Sequence, residues 1–221
     1  MKKKIGRLHV LTDTGLQHRS SHQDLARLAV EGGAEVIQFR EKRGETRYLI
    51  DTALTLKEIC RRSGALLIVN DRVDVALASG ADGVHLGRED FPIGPAKRLL
   101  GAGKIIGASA DSVEEAVECM NQGADYVGFG PVFPTTSKED AGPVTGLQAL
   151  SLVVEAVEIP VIAIGGINRE NAPAVVRAGA YGVAVISAVC CQEDPAAAAR
   201  GLLKAISRQG SSEVDERGGR A

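Results

Sequence analysis

LLIVNDRVDVALASGADGVHLG, residues 66–87, holds two short apolar runs separated by one helical stretch. The first run ends in Asn70-Asp71, a helix begins at Arg72, and Gly80-Ala81-Asp82 leads straight into Gly83-Val84-His85-Leu86-Gly87. An apolar run of four to six residues, a helix, and another such run make one strand–helix–strand unit, whose two strands must lie parallel. Working outward, the same alternation fills the chain. Strand candidates precede it at RLHVLTD from Arg7 and EVIQFRE from Glu35. They follow it at KIIGAS from Lys104, YVGFGPVF from Tyr126, PVIAIGG from Pro160 and GVAVIS from Gly182. Between them, stretches such as HQDLARLAVEGG and ETRYLIDTALTLKEICRRSG repeat apolar residues every three or four positions and end in Gly, a residue suited to helix C-termini.

Eight strand–helix units in strict alternation predict an α/β fold, a single (β/α)8 TIM barrel. A doubly wound open sheet is the alternative, but it does not account for an internal repeat. Gly33-Ala34-Glu35, Gly80-Ala81-Asp82 and Gly123-Ala124-Asp125, with Gly179-Ala180-Tyr181 as a variant, each introduce an even-numbered strand. That placement suits a quasi-symmetric closed sheet. The 221 residues also match the roughly 200–250 that one such barrel needs. We assign residues 1–208 to the barrel and the polar, Gly-rich 209–221 to a disordered tail.

Aromatics are 3% of the chain and Trp is absent, so the core must be built from Val, Ile, Leu and Ala, as buried parallel strands require. A formal charge of −2 gives no general attraction for nucleic acid or an anionic membrane. Met1-Lys2-Lys3-Lys4 is not followed by an apolar segment of a signal peptide, and Cys60, Cys119, Cys190 and Cys191 form no CxxC pair. A cytoplasmic protein with reduced thiols is expected.

Active sites of such barrels lie at the C-terminal ends of the strands. Polar residues collect there. Alternation sends Gln38, Arg40 and Lys42 to one side of the second strand. With Lys138 on the long segment 134–145, three cations face one mouth and favour a polyanion such as a diphosphate, although a salt-bridged rim would use the same residues. Asp71 and Asp90, near adjacent strand ends, suit Mg2+ bridging to phosphate oxygens. Asp71 could instead cap the helix beginning at Arg72, and Asp90 could pair with Arg88 or Lys97. Gly165-Gly166 and Ile186-Ser187 close the seventh and eighth strands, where barrels commonly offer backbone N–H groups to phosphate. His85 lies inside an apolar strand and reads as a satisfied core histidine, and none of the four His has metal-ligand spacing.

The segments QFREK, IVNDRVDVALASGADGVHLGRED, IGAS, GADYVGFGPVFPTTSK, AIGGI and VAVISA resemble the thiamine-phosphate synthase family, from about Leu8 to the end of the last helix. The resemblance implies an enzyme acting on small phosphorylated molecules, not on nucleic acid or membrane, and leaves a homo-oligomer open. It implies that Gln38, Arg40, Lys42, Asn70, Ser109 and Lys138 bind an aminopyrimidine diphosphate, with Arg40, Ser109 and Lys138 in the catalysis. Asp71 and Asp90 would hold Mg2+. Thr135, Thr136, Ser137, Gly166, Ile186 and Ser187 would hold a thiazole phosphate. The chain departs from the family at Ser137, where Thr is frequent, and at Asp111, where His is common. A thiazole tautomerase of the same barrel would carry His at Asp111 and weaker diphosphate and metal residues. A non-catalytic thiazole-phosphate-binding barrel would lose the carboxylates; here Asp71 and Asp90 are kept.

Overall fold

All eight strands are four to six residues long, and their side chains are almost entirely out of water. Such strands cannot sit at a sheet edge facing solvent; they need helices on one side and each other on the second. A computed structural model describes residues 3–17, 19–137 and 142–207 and arranges them accordingly. The elements are β1 (Leu8–Thr12), α1 (His22–Glu31), β2 (Val36–Phe39), α2 (Thr46–Ser63), β3 (Leu66–Asn70) and α3 (Val73–Ser79). There follow β4 (Gly83–Leu86), α4 (Ile93–Leu100), β5 (Ile105–Ala110), α5 (Val113–Asn121), β6 (Tyr126–Phe129) and α6 (Gly146–Ala156). The chain continues through β7 (Val161–Ile164), α7 (Ala172–Arg177), β8 (Gly182–Val185), the short α8 (Ser187–Cys190) and α9 (Pro195–Ser207). The strands form a closed parallel barrel in sequence order, with β1 paired to β8 through Leu8↔Val183 and Val10↔Val185. The expected tail, 209–221, lies outside the described residues.

Two-residue alternation divides the core. Leu8, Val10, Ile37, Leu67, Val84, Val127 and Val183 point outward and pack with the helices. Leu11, Val36, Ile68, Ile105, Tyr126, Ile162 and Ala184 fill the barrel itself. The Gly-Ala-acidic repeat now has a mechanical meaning. The carboxylates of Glu35, Asp82 and Asp125 accept the backbone N–H groups of Arg7, Leu67 and Ile106 at 2.7, 2.8 and 2.8 Å. Each acid at the start of an even strand thus pins the start of the odd strand before it. An unpaired buried amide costs about 1–3 kcal/mol, so the acidic position selects the register of each strand pair. In the variant copy, the Tyr181 hydroxyl donates to the Ile5 carbonyl at 2.7 Å and does the equivalent work from the other side.

Polar groups inside the barrel lead up to its mouth. His9 is edge-on to Tyr126, the Tyr126 hydroxyl is 3.0 Å from His85 Nδ1, and His85 Nε2 is 3.0 Å from Ser109 Oγ. Gly107 makes room for this chain: a Cβ there would stand 2.2 Å from Tyr126 Cζ. The expectation of a satisfied His85 holds, and its partners tie the barrel interior to a candidate site residue.

Burial lowers the pKa of His9 to about 4. The unfolded chain, with an ordinary histidine near 6.5, binds more protons between those values, so stability is full above pH 6.5 and falls as pH drops through the window. His22 is also shifted down by burial and acts in the same direction. The His9 contribution lost by pH 5 is about 2 kcal/mol. Urea unfolding midpoints between pH 7 and 5 should show it, and His9→Gln should flatten that slope. An unchanged slope in the variant would refute the assignment.

Candidate active site

At the C-terminal ends of the strands the barrel opens into a cavity of about 1030 Å3. Its first half is built by β2 to β5. Arg40 and Lys42 follow β2, Asn70 ends β3, Asp90 follows β4, and Ser109 is the penultimate residue of β5. Lys42 Nζ is 3.0 Å from Asp71 Oδ2, and Arg40 Nη1 donates to Asp13 Oδ2. Gln38 Nε2 donates to Asn70 Oδ1 at 2.6 Å from just below the mouth. Asp90 Oδ2 accepts the Gly87 N–H at 2.6 Å, which fixes that carboxylate within hydrogen-bonding reach of Asp71.

Asp71 is the one non-Gly residue with positive φ among the described residues, at 65°. A left-handed Asp costs on the order of 1–3 kcal/mol unless the surroundings impose it, and such strain concentrates at functional sites. Here the Asp71 N–H donates to the His85 carbonyl at 2.8 Å, continuing the β3–β4 ladder one step past the strand while the side chain turns toward Asp90. Burial and the Asp90 carboxylate push the Asp71 pKa up, against the opposing pull of Lys42. Two carboxylates held together at a cost are a place for positive charge.

The second half comes from β6 to β8. Gly165 and Gly166 follow β7 with φ of 97° and 62°. Asn171 Nδ2 donates to the Gly166 carbonyl at 2.9 Å and holds the turn. The loop after β6 is stapled at its base by Thr145, whose N–H and hydroxyl both donate to the Pro131 carbonyl, at 2.8 and 3.1 Å. Farther out, Ser137 Oγ donates to Ser187 Oγ at 3.0 Å, joining this loop to the start of α8. Thr135, Thr136, Ser137, Gly166, Ile186 and Ser187 therefore line one side of the cavity.

Of the residues expected from sequence, Arg40, Lys42, Asn70, Asp71, Asp90 and Ser109 line the opposite half, while Gln38 supports Asn70 from beneath. Lys138 lies outside the described residues. The salt-bridged alternative is partly realised, because Arg40 and Lys42 each have a carboxylate partner while still lining the cavity. The other structural alternatives fail. The N-cap of α3 is Arg72 with no side-chain cap bond, so Asp71 caps nothing. Lys97 donates to the Gly123 carbonyl, and Arg88 pairs with Asp111 at 2.9 Å and with Glu115. That triad also gives the unusual Asp111 a physical role: it anchors Arg88 at the rim. Asp13, Asn171 and the His85–Ser109 link were not singled out in the sequence. Asp13 carried a usable signal as the polar end of the first strand, whereas Asn171 and the His85 contacts had none.

The closed barrel, with carboxylates and cations on one side of its mouth and Gly-rich turns on the other, defines a phosphate-handling (β/α)8 enzyme. The sequence profile described as thiamine monophosphate synthase matches residues 8–189. A thiamine-phosphate synthase of Methanocella arvoryzae is 55% identical over 201 residues, covering 91% of this chain and 95% of the relative. One from Chloroflexus aurantiacus is 51% identical over 201 residues, covering 91% and 93%. Among solved structures, the thiamine phosphate pyrophosphorylase from Pyrococcus furiosus superposes with a TM-score of 0.83 at 47% identity, covering 91% of this chain and 96% of that one. The chain belongs to the thiamine monophosphate synthase family.

Proposed function

We propose that this protein is a thiamine-phosphate synthase. It joins 4-amino-2-methyl-5-(diphosphomethyl)pyrimidine to 4-methyl-5-(2-phosphoethyl)thiazole and releases diphosphate; with the carboxylated form of the thiazole it releases CO2 as well. The observation that carries the reading is the two-sided mouth, with Arg40, Lys42, Asp71, Asp90 and Ser109 on one side and the Gly165-Gly166 and Ser137–Ser187 contacts on the other. Two anionic substrates of different size require two such sides.

In the proposed reaction the bond between the pyrimidine methylene carbon and the diphosphate oxygen breaks, and the oxygen keeps the electron pair. The electron-rich aminopyrimidine stabilises the resulting cation, and the thiazole nitrogen supplies the pair for the new C–N bond. No general base is needed to start this sequence, which matches a site rich in charge and poor in nucleophile–base pairs. Arg40, Lys42 and Lys138 neutralise the departing diphosphate, and Ser109, oriented by His85, donates a hydrogen bond to the same substrate. Asn70, braced from beneath by Gln38, holds the pyrimidine side. Thr135, Thr136, Ser137, Gly166, Ile186 and Ser187 hold the thiazole phosphate so that its ring meets the cation before water does.

The donor set fits Mg2+. Among the described residues no three His, Cys, Asp or Glu converge into a protein-only cage, but Mg2+ is typically held by one or two carboxylates plus substrate phosphates. Asp71 and Asp90 would hold it. When bound, it would supply charge neutralisation for the leaving diphosphate. A cytoplasmic location belongs to the same reading and is supported by four unbridged cysteines. Incubating the purified protein with both precursors and Mg2+ should yield thiamine phosphate and pyrophosphate in equal amounts. If neither product forms, the reading is wrong.

A further inference from the structure

Arg40 is expected to meet the diphosphate, but a long side chain with several rotamers does not point itself. Asp13 follows β1 directly and lies beside Arg40, which follows β2, since the two strands pair through Thr12↔Phe39 one residue earlier. Its carboxylate is nearly buried, at 5% exposure for the residue, and both oxygens are used. Oδ1 accepts the Gly15 N–H at 2.8 Å and Oδ2 accepts from Arg40 Nη1. His22 reinforces the junction, with Nδ1 2.9 Å from Thr12 Oγ1 and Nε2 3.3 Å from Glu41 Oε2, and so bridges the two strand ends.

Which guanidinium nitrogen is taken matters. Nη1 lies on the Cδ side of the group, and binding it leaves Nε–H and Nη2 as the side-on fork that matches two oxygens of one phosphate. Arg40 Nε is buried and has no hydrogen-bond partner. Such a donor is costly to leave unpaired, and the residue lines the cavity. We propose that Asp13 is a positioning residue for the reaction: it clamps Arg40 by Nη1 and so sets the plane of the guanidinium, whose remaining edge meets the leaving diphosphate in the cavity that Arg40 lines. Asp13 subtracts positive charge from an anion site, so its contribution is orientation and not attraction.

The inference rests on the proposed synthase activity, and its test separates the two. Asparagine at position 13 offers one acceptor oxygen and cannot serve both Gly15 N–H and Arg40. Asp13→Asn should lower kcat by about ten- to a hundredfold, the scale of a misplaced charge-stabilising group. It should raise the Kd for inorganic pyrophosphate with Mg2+ about tenfold and leave the KM for the thiazole phosphate unchanged. In an Arg40→Lys background, which has no side-on fork, Asp13→Asn should change pyrophosphate affinity no further. Tighter pyrophosphate binding with kcat retained would mean that Asp13 only damps charge, and would overturn the assignment. A lowered Tm with normal kcat and pyrophosphate affinity in the folded fraction would overturn it too, as a purely structural effect. A wild-type enzyme that makes no thiamine phosphate overturns the underlying function instead.

Discussion

Asp90→Asn is expected to lower kcat by about a thousandfold or more, equivalent to roughly 4 kcal/mol of lost transition-state stabilisation, with little change in Tm. The substitution is chosen because the Asp90 carboxylate has two duties. Its Oδ2 accepts the Gly87 N–H at 2.6 Å, and the amide oxygen of asparagine can keep that bond, so the loop after β4 stays folded. What disappears is the second negative charge facing Asp71. One carboxylate and a neutral amide no longer make a site worth the desolvation of a divalent ion. The check is a Mg2+ titration of turnover, in which the variant should need far higher concentrations or never saturate. Near-wild-type kcat in the variant, persisting with EDTA present, would remove the metal from this position.

The barrel was legible because its signals are local and repeated. A strand such as Leu66–Asn70 reads as buried on its own composition, and helices such as Thr46–Ser63 show their period and their terminal Gly without help from distant residues. The mouth was legible for a related reason: once the fold is a barrel, the last residues of each strand must share one end. The partners around that mouth were not. Ser137 meets Ser187 across fifty positions, and Cys190 Sγ lies 3.0 Å from the Leu11 carbonyl because closure sets β8 beside β1. The sequence offered Asp90 as a partner for Arg88; Arg88 takes Asp111 and Glu115 from the next βα unit instead. Period and composition say which end a residue occupies, whereas the angle around the barrel axis depends on packing that only the closed sheet supplies. The same limit explains why Asp71 was readable as a carboxylate at the mouth but not as a left-handed residue whose backbone follows the ladder while its side chain turns to Asp90.

Gly166→Ala should cost about a hundredfold in kcat/KM for the thiazole phosphate while leaving pyrophosphate binding near its wild-type value. At φ of 62° an added Cβ would stand 2.4 Å from the Pro134 carbonyl oxygen and 2.8 Å from Phe133 Cβ. The first of these is backbone, so relief requires the loop after β6 to move and not merely a rotamer change. That loop carries Thr135, Thr136 and Ser137 and reaches Ser187, so displacement would separate the groups proposed to hold one phosphate. Losing a preorganised set of phosphate donors is worth about 3 kcal/mol, the hundredfold stated. Backbone strain alone predicts something different. Gly64 has φ of 75° with nothing within 4 Å of an added Cβ, at the C-terminus of α2. Gly64→Ala should therefore lower stability by about 1 kcal/mol and leave kcat/KM intact. If Gly166→Ala behaves like Gly64→Ala, losing stability without losing the thiazole phosphate, the turn after β7 is only a tight turn and the phosphate must be held elsewhere in the cavity.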